Sequence, residues 1–148
     1  MIAEPKVILL VEDDPNDVDL TLRVLRKSQL SKDVVVARDG VEALDYLLGT
    51  GPFAGRDASE LPQVVLLDLQ LPLLSGLEVL RRIRSHEQTR RVPVVILTSS
   101  NADHDKLAGY DLGANGYVRK PIDFGQFSEA VDQVQQYWLR INQPPPTY

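Results

Sequence analysis

At 148 residues the chain fits one domain, large enough to bury a proper core. Its composition, 43% hydrophobic and 25% charged, is that of an ordinary soluble globular protein, which excludes fibrous and disordered classes. A net charge of −5 argues against a dedicated nucleic-acid or anionic-membrane binder, and with no cysteine there is no disulfide framework, thiolate metal site or thiol nucleophile. Residues 1–6 are too short and polar for a signal peptide and no apolar run reaches membrane-span length, so a cytoplasmic protein is expected.

The apolar run 7–11 reads as a buried strand, and it ends in three acids, Glu12, Asp13 and Asp14. Asp14 followed by Pro15, with Asp17 in the first turn, is a helix start: a capping side chain, a proline where no N–H is needed, and negative charge at the positive end of the helix. That helix carries Val18, Leu22 and Leu25 on one face. A short strand over 34–37 stops at Arg38-Asp39-Gly40, and a helix with Val41, Ala43, Leu44, Leu47 and Leu48 follows. Residues 49–62, rich in Gly, Pro, Asp and Ser, form a long surface loop. Their Gly49-Thr50-Gly51 follows a helix and lacks a Gly-Lys-Ser/Thr ending, so it is no phosphate loop.

Between Pro62 and Pro72 runs a continuous Val/Leu stretch, the habit of a strand buried on both faces, with one acid, Asp68, near its end. A lone acid there is costly unless it meets a cation or reacts; the plainer reading is a helix cap or turn residue. Next comes a loop through Ser75 and Gly76, then a helix with Leu77, Val79, Leu80 and Ile83 inward. Arg81, Arg82 and Arg84 alternate with these, and together with Arg90 and Arg91 they read as a solvated helix end. The strand 92–98 ends in Thr98-Ser99-Ser100. A weaker helix over 101–112 has Leu107, Ala108 and Leu112 apolar but Gly109 within it, and a Gly-Ala-Asn-Gly turn leads to the strand 117–120, stopped by Pro121. A long amphipathic helix over 124–141 carries Phe127, Val131, Val134, Trp138 and Ile141, and the Pro-rich tail 142–148 cannot continue it. His86 and His104 have no metal-ligand spacing and read as surface residues.

Five strands alternating with five helices predict an α/β fold: a five-stranded parallel sheet, doubly wound, filling residues 5–141. Ligands of such sheets bind outside the carboxyl ends of the strands, where Glu12, Asp13, Asp68, Thr98 and Lys120 all fall. Three acids side by side repel one another unless a cation sits among them, and an all-oxygen donor set suits magnesium rather than zinc. Carboxylates, Mg2+, a hydroxyl and a lysine are together equipped for a phosphoryl group, with one carboxylate, Asp68, able to act as nucleophile.

The stretches 9–14, 66–76, 93–98 and 113–121 of this chain resemble the receiver domain of two-component response regulators, a flavodoxin-like fold. The resemblance makes Asp68 the phosphoacceptor, Glu12 and Asp13 with Asp68 the metal acids, and Gln70 the residue whose backbone carbonyl completes the magnesium site. It makes Thr98 the switch hydroxyl, Lys120 the phosphate-binding lysine and Tyr117 the switch aromatic, while Pro121 matches a proline that often follows a cis peptide. The long 49–62 loop, Tyr110-Asp111-Leu112 and the extended helix with Tyr137-Trp138-Leu139 resemble the small regulators that work with bacterial phytochromes. That likeness implies a histidine kinase partner of phytochrome type and a homodimer through the C-terminal half, to which Trp138 and Ile141 would contribute; both also suit the chain's own core. Two other readings are an aspartyl-nucleophile phosphatase of haloacid-dehalogenase type, which wants a second acid where Gln70 stands, and a pseudo-receiver that binds partners without phosphorylation.

Overall fold

A computed structural model describes residues 6–28, 30–31 and 33–146. The first five residues, part of the stretch weighed as a signal peptide, lie outside the described residues, as do the last two of the tail. In chain order the elements are β1 (Val7–Val11), α1 (Pro15–Ser28), β2 (Asp33–Ala37), α2 (Gly40–Leu48), a 3-10 turn (Gly51–Phe53), β3 (Val64–Leu67), α3 (Gly76–Ser85), β4 (Val94–Thr98), α4 (Asp103–Asp111), β5 (Gly116–Arg119) and α5 (Phe124–Gln136). All strands are parallel, in the order β2-β1-β3-β4-β5. Chain direction across the sheet therefore reverses between β1 and β3, and the crevice at the carboxyl ends of those two strands is where such a sheet places its ligand.

The pleat sends alternate side chains to opposite faces, which makes two cores from one sheet. Leu9, Val11, Val65, Leu67, Val94 and Ile96 pack with α2 and α3, while Ile8, Leu10, Val64, Leu66, Val95 and Leu97 pack with α1 and α5. Helix ends follow the sequence closely. Asp14 Oδ1 accepts the N–H groups of Asn16 and Asp17, Asp39 caps α2, Ser75 caps α3 and Asp123 caps α5.

In four places the structure differs from the expectation. The 49–62 loop is tied down: the Arg56 guanidinium lies 4.0 Å over the Tyr46 ring and donates to the Tyr46 and Glu60 carbonyls, and Tyr46 meets Phe53 edge to face. Arg84 is no solvated helix end. It is half-buried and donates to the Arg90 and Val92 carbonyls before β4 and to the Gly113 carbonyl and Asn115 Oδ1 before β5, two segments that its planar fork of donors joins. The final helix is α-helical only to Gln136; Tyr137–Ile141 winds as a π-helix, with the Asn142 N–H on the Tyr137 carbonyl at 2.7 Å. Lys6 Nζ donates to the Leu139 carbonyl within that segment at 2.6 Å. Lastly, the Lys120–Pro121 bond is trans, since no cis peptide occurs among the described residues; trans is the lower-energy isomer of an X–Pro bond by about 0.5–1 kcal/mol.

Candidate functional site

Glu12, Asp68 and Lys120 each stand one residue beyond their strand, on backbone that still belongs to the sheet, and Asp13 follows one residue later. The Glu12 N–H donates to the Ala37 carbonyl at 3.0 Å, the Asp68 N–H to Val11 at 3.1 Å and the Lys120 N–H to Thr98 at 2.7 Å. The ladder thus carries the functional residues as if they were strand residues, which fixes their backbones without any dedicated support. Behind Asp68 the α3 start presses close: a Cβ on Gly76 would lie 2.1 Å from the Asp68 carbonyl oxygen, so no larger residue fits there without moving the site.

The crevice is an open cleft of about 690 Å³ lined by acids from two strand ends and the first turn of α1, with Gln70, Ser99 and Lys120 closing it. Lys120 reaches into its middle. Its ammonium donates to Glu12 Oε1, to Asp17 Oδ2 at 2.9 Å and to Asp68 Oδ2 at 3.1 Å, and its side chain is only 10% exposed. The other Asp68 oxygen accepts the Gln70 N–H at 3.2 Å, so the carboxylate is oriented at both ends. Burial pushes the Glu12 carboxyl up to about 7, with the Asp68 charge adding to the shift and Lys120 opposing it. Burial works against the Lys120 ammonium too, but its bonds to Glu12 and Asp17 and the charges of Asp68 and Glu12 outweigh that and hold its pKa above the ordinary value.

One carboxylate oxygen from each of Glu12, Asp13 and Asp68 lies within 4.8 Å of the other two. Three hard oxygen donors at that separation fit a small divalent cation, the geometry in which their mutual repulsion becomes an asset. Gln70 lines the same cleft, on the loop directly after Asp68.

Thr98 is fully buried and does not line the cleft; its hydroxyl accepts the Ser100 N–H at 3.4 Å. Tyr117 is half-buried, and its hydroxyl donates to the Ser100 carbonyl at 3.0 Å. Both residues therefore meet at the loop between β4 and α4 rather than at Asp68. Trp138 is half-buried against the α1 and α5 core, whereas Ile141 is exposed. Five lining residues have no site role in the sequence reading: Asp14, Pro15, Asn16, Asp17 and Ser99. Ser99 belongs to a hydroxyl triplet and Asp14 to Asp17 to a helix start, local patterns that give no sign of the cleft they line.

Residues 8–132 match the response regulator receiver domain. The chain belongs to that family. Phosphorylation on an aspartate is typical of the family, and its members are not conventional enzymes. The chain is 40% identical over 143 residues to the probable methanogenesis regulatory protein FilR2 of Methanothrix harundinacea, covering 96% of this chain and 89% of that one. To the response regulator Rcp1 of Synechocystis sp. it is 37% identical over 135 residues, 91% of this chain and 90% of Rcp1. The Mn2+-bound structure of Rcp1 aligns with a TM-score of 0.88 at 35% identity, over 96% of this chain and all of that one. The phosphorylated cyanobacterial phytochrome response regulator RcpA aligns at 0.89 and 36%, over 97% of this chain and 100% of RcpA. The fold is thus the flavodoxin-like receiver fold that the sequence predicts, and the chain is homologous to phytochrome-associated regulators.

Proposed function

We propose that Asp68 accepts a phosphoryl group from a phosphohistidine of a sensor kinase, in the receiver domain 5–141. The observation that carries this is the Lys120 ammonium bonded to Asp68 inside a cleft where three carboxylates converge. An Asp68 carboxylate oxygen attacks phosphorus in line, its bond to phosphorus forms as the bond to the histidine nitrogen breaks, and the imidazole leaves. Glu12, Asp13, Asp68 and the Gln70 carbonyl would hold Mg2+, which neutralises charge on the phosphoryl oxygens. Lys120 takes one of those oxygens in exchange for its hold on the free carboxylate. Thr98 turns its hydroxyl toward another, and Tyr117 gives up its bond to Ser100, which alters the face made by α4, β5 and α5. The domain aids its own phosphorylation and dephosphorylation in this way and remains a switch rather than a turnover catalyst.

The likeness to RcpA supports a phytochrome-type kinase as partner, and the similarity to FilR2 supports testing kinases outside that class in parallel. Ile122, Phe124, Tyr137 and Ile141 leave large apolar side chains exposed in the C-terminal half, which supports a homodimer there. Nucleic acid and membrane are not partners in this reading, and it implies a cytoplasmic location; no helix among the described residues is long and apolar enough to cross a membrane. Acetyl phosphate with Mg2+ is expected to add the mass of one phosphoryl group to the wild type and none to Asp68→Asn. Equal labelling of the two proteins would refute the assignment.

A further inference from the structure

Asp17 has a job that its place in α1 does not explain. Asp14 already caps the helix, accepting the N–H groups of both Asn16 and Asp17, so the Asp17 side chain is not needed for that purpose. Its carboxylate is instead aimed into the cleft, where Oδ2 accepts from Lys120 Nζ at 2.9 Å. An ammonium has three N–H donors, and here three carboxylates, on Glu12, Asp17 and Asp68, occupy them.

These partners are not equivalent. Glu12 and Asp68 belong to the acidic trio that suits a divalent cation, and Asp17 does not. A divalent cation held by that trio would weaken the claim of Glu12 and Asp68 on the lysine, and esterification of Asp68 would remove its carboxylate charge. Neither event touches Asp17. It is also the most accessible of the three, with 34% of its side chain exposed against 3% for Glu12 and 10% for Asp68, so it meets an incoming dianionic donor first.

We propose that Asp17 is a positioning residue that holds Lys120 back, competing with the phosphoryl oxygens for the ammonium and so setting how readily Asp68 is phosphorylated. This rests on Asp68 being the phosphoacceptor. With Asp17 neutralised, Lys120 keeps a free donor for the phosphoryl group and the cleft loses one negative charge that repels it.

The test compares the wild type with Asp17→Asn and Asp17→Glu at saturating Mg2+. Labelling of Asp17→Asn by acetyl phosphate is expected to run about fivefold faster than wild type, the size expected of a partly exposed ion pair. Beryllofluoride, a phosphoryl mimic, is expected to bind it about fivefold more tightly by calorimetry. Asp17→Glu restores the charge and returns both quantities toward wild type. Unchanged or slower labelling of Asp17→Asn, or unchanged beryllofluoride affinity, overturns the proposal. A wild type that takes no phosphoryl group on Asp68 overturns the phosphoacceptor reading instead, so the two failures are distinct.

Discussion

Helices α3 and α4 flank neighbouring parts of the same sheet, yet they are attached to it in opposite ways. Helix α3 buries Val79, Leu80 and Ile83, is capped by Ser75, and is locked at its far end by Thr89 Oγ1 on the Ile83 carbonyl at 2.7 Å and by the Arg84 fork. Helix α4 buries only Gly109, has no side-chain cap at Ala102, and turns Leu107 and Tyr110 to solvent. What holds α4 is closeness rather than apolar area: a Cβ on Gly109 would lie 2.7 Å from Ile96 Cδ1, with the Tyr117 ring beside it. Free energy of attachment scales with buried apolar surface, so α3 is the more firmly attached helix and displacing α4 costs less. Thr98 and Tyr117, the proposed switch residues, meet at the root of α4, and Asp68, the proposed phosphoacceptor, sits against the root of α3. In the proposed function the chemistry would thus fall beside the better-packed helix and the response beside the less-packed one.

Three perturbations break or sharpen this contrast. The largest effect is expected from truncating equivalent leucines. Leu80→Ala should lower the stability read by urea unfolding by about 2–5 kcal/mol, while Leu107→Ala stays within about 0.5 kcal/mol. Similar losses at the two sites would mean that α4 is as firmly packed as α3. Next, Arg84→Ala strips donors from the Gly113, Arg90 and Val92 carbonyls and is expected to cost about 1–3 kcal/mol. Because the same fork bridges α3 to the turn after α4, hydrogen exchange in residues 113–116 should quicken more than in β1. The smallest effect is electrostatic. Glu78 pairs with Arg81 and Arg82, which hold its carboxyl down at about 2 from an ordinary 4.5. A depressed carboxyl contributes stability above the unfolded value and loses it as pH falls through the folded one. The contribution of this surface cluster is therefore complete at neutral pH and fades between about 4.5 and 2, and Glu78→Gln should flatten the acid limb of thermal melts in that window only.

The contrast between the two helices also marks where sequence was informative. Strand ends were readable because an acid or a lysine at the end of an apolar run has few explanations, and Glu12, Asp13, Asp68 and Lys120 do converge in one cleft. Helix α3 was readable because its apolar spacing is regular. Helix α4 is less so: its apolar residues are few, Leu107 among them is exposed, and a glycine, invisible to hydrophobic counting, is what meets the sheet. Arg84 and Asp17 were misjudged for a related reason. Each has an ordinary local explanation, a basic helix end and an acidic first turn, and only the fold reveals the distant partner, 29 residues away for Gly113 and 103 for Lys120. The π winding after Gln136 has no signature in periodicity, since it adds only one residue to each hydrogen-bonded loop of the helix.

The bond between Lys6 and the Leu139 carbonyl has a consequence for how the domain is wired. It brings the point where the chain enters the sheet beside the point where the last helix leaves it, at the amino edge, the full length of the strands away from Asp68. A rejoined chain opened elsewhere would keep the same contacts, so circular permutants closed between residues 6 and 142 should fold. Cargo attached at that edge would leave the cleft unobstructed, with the whole depth of the sheet between the two.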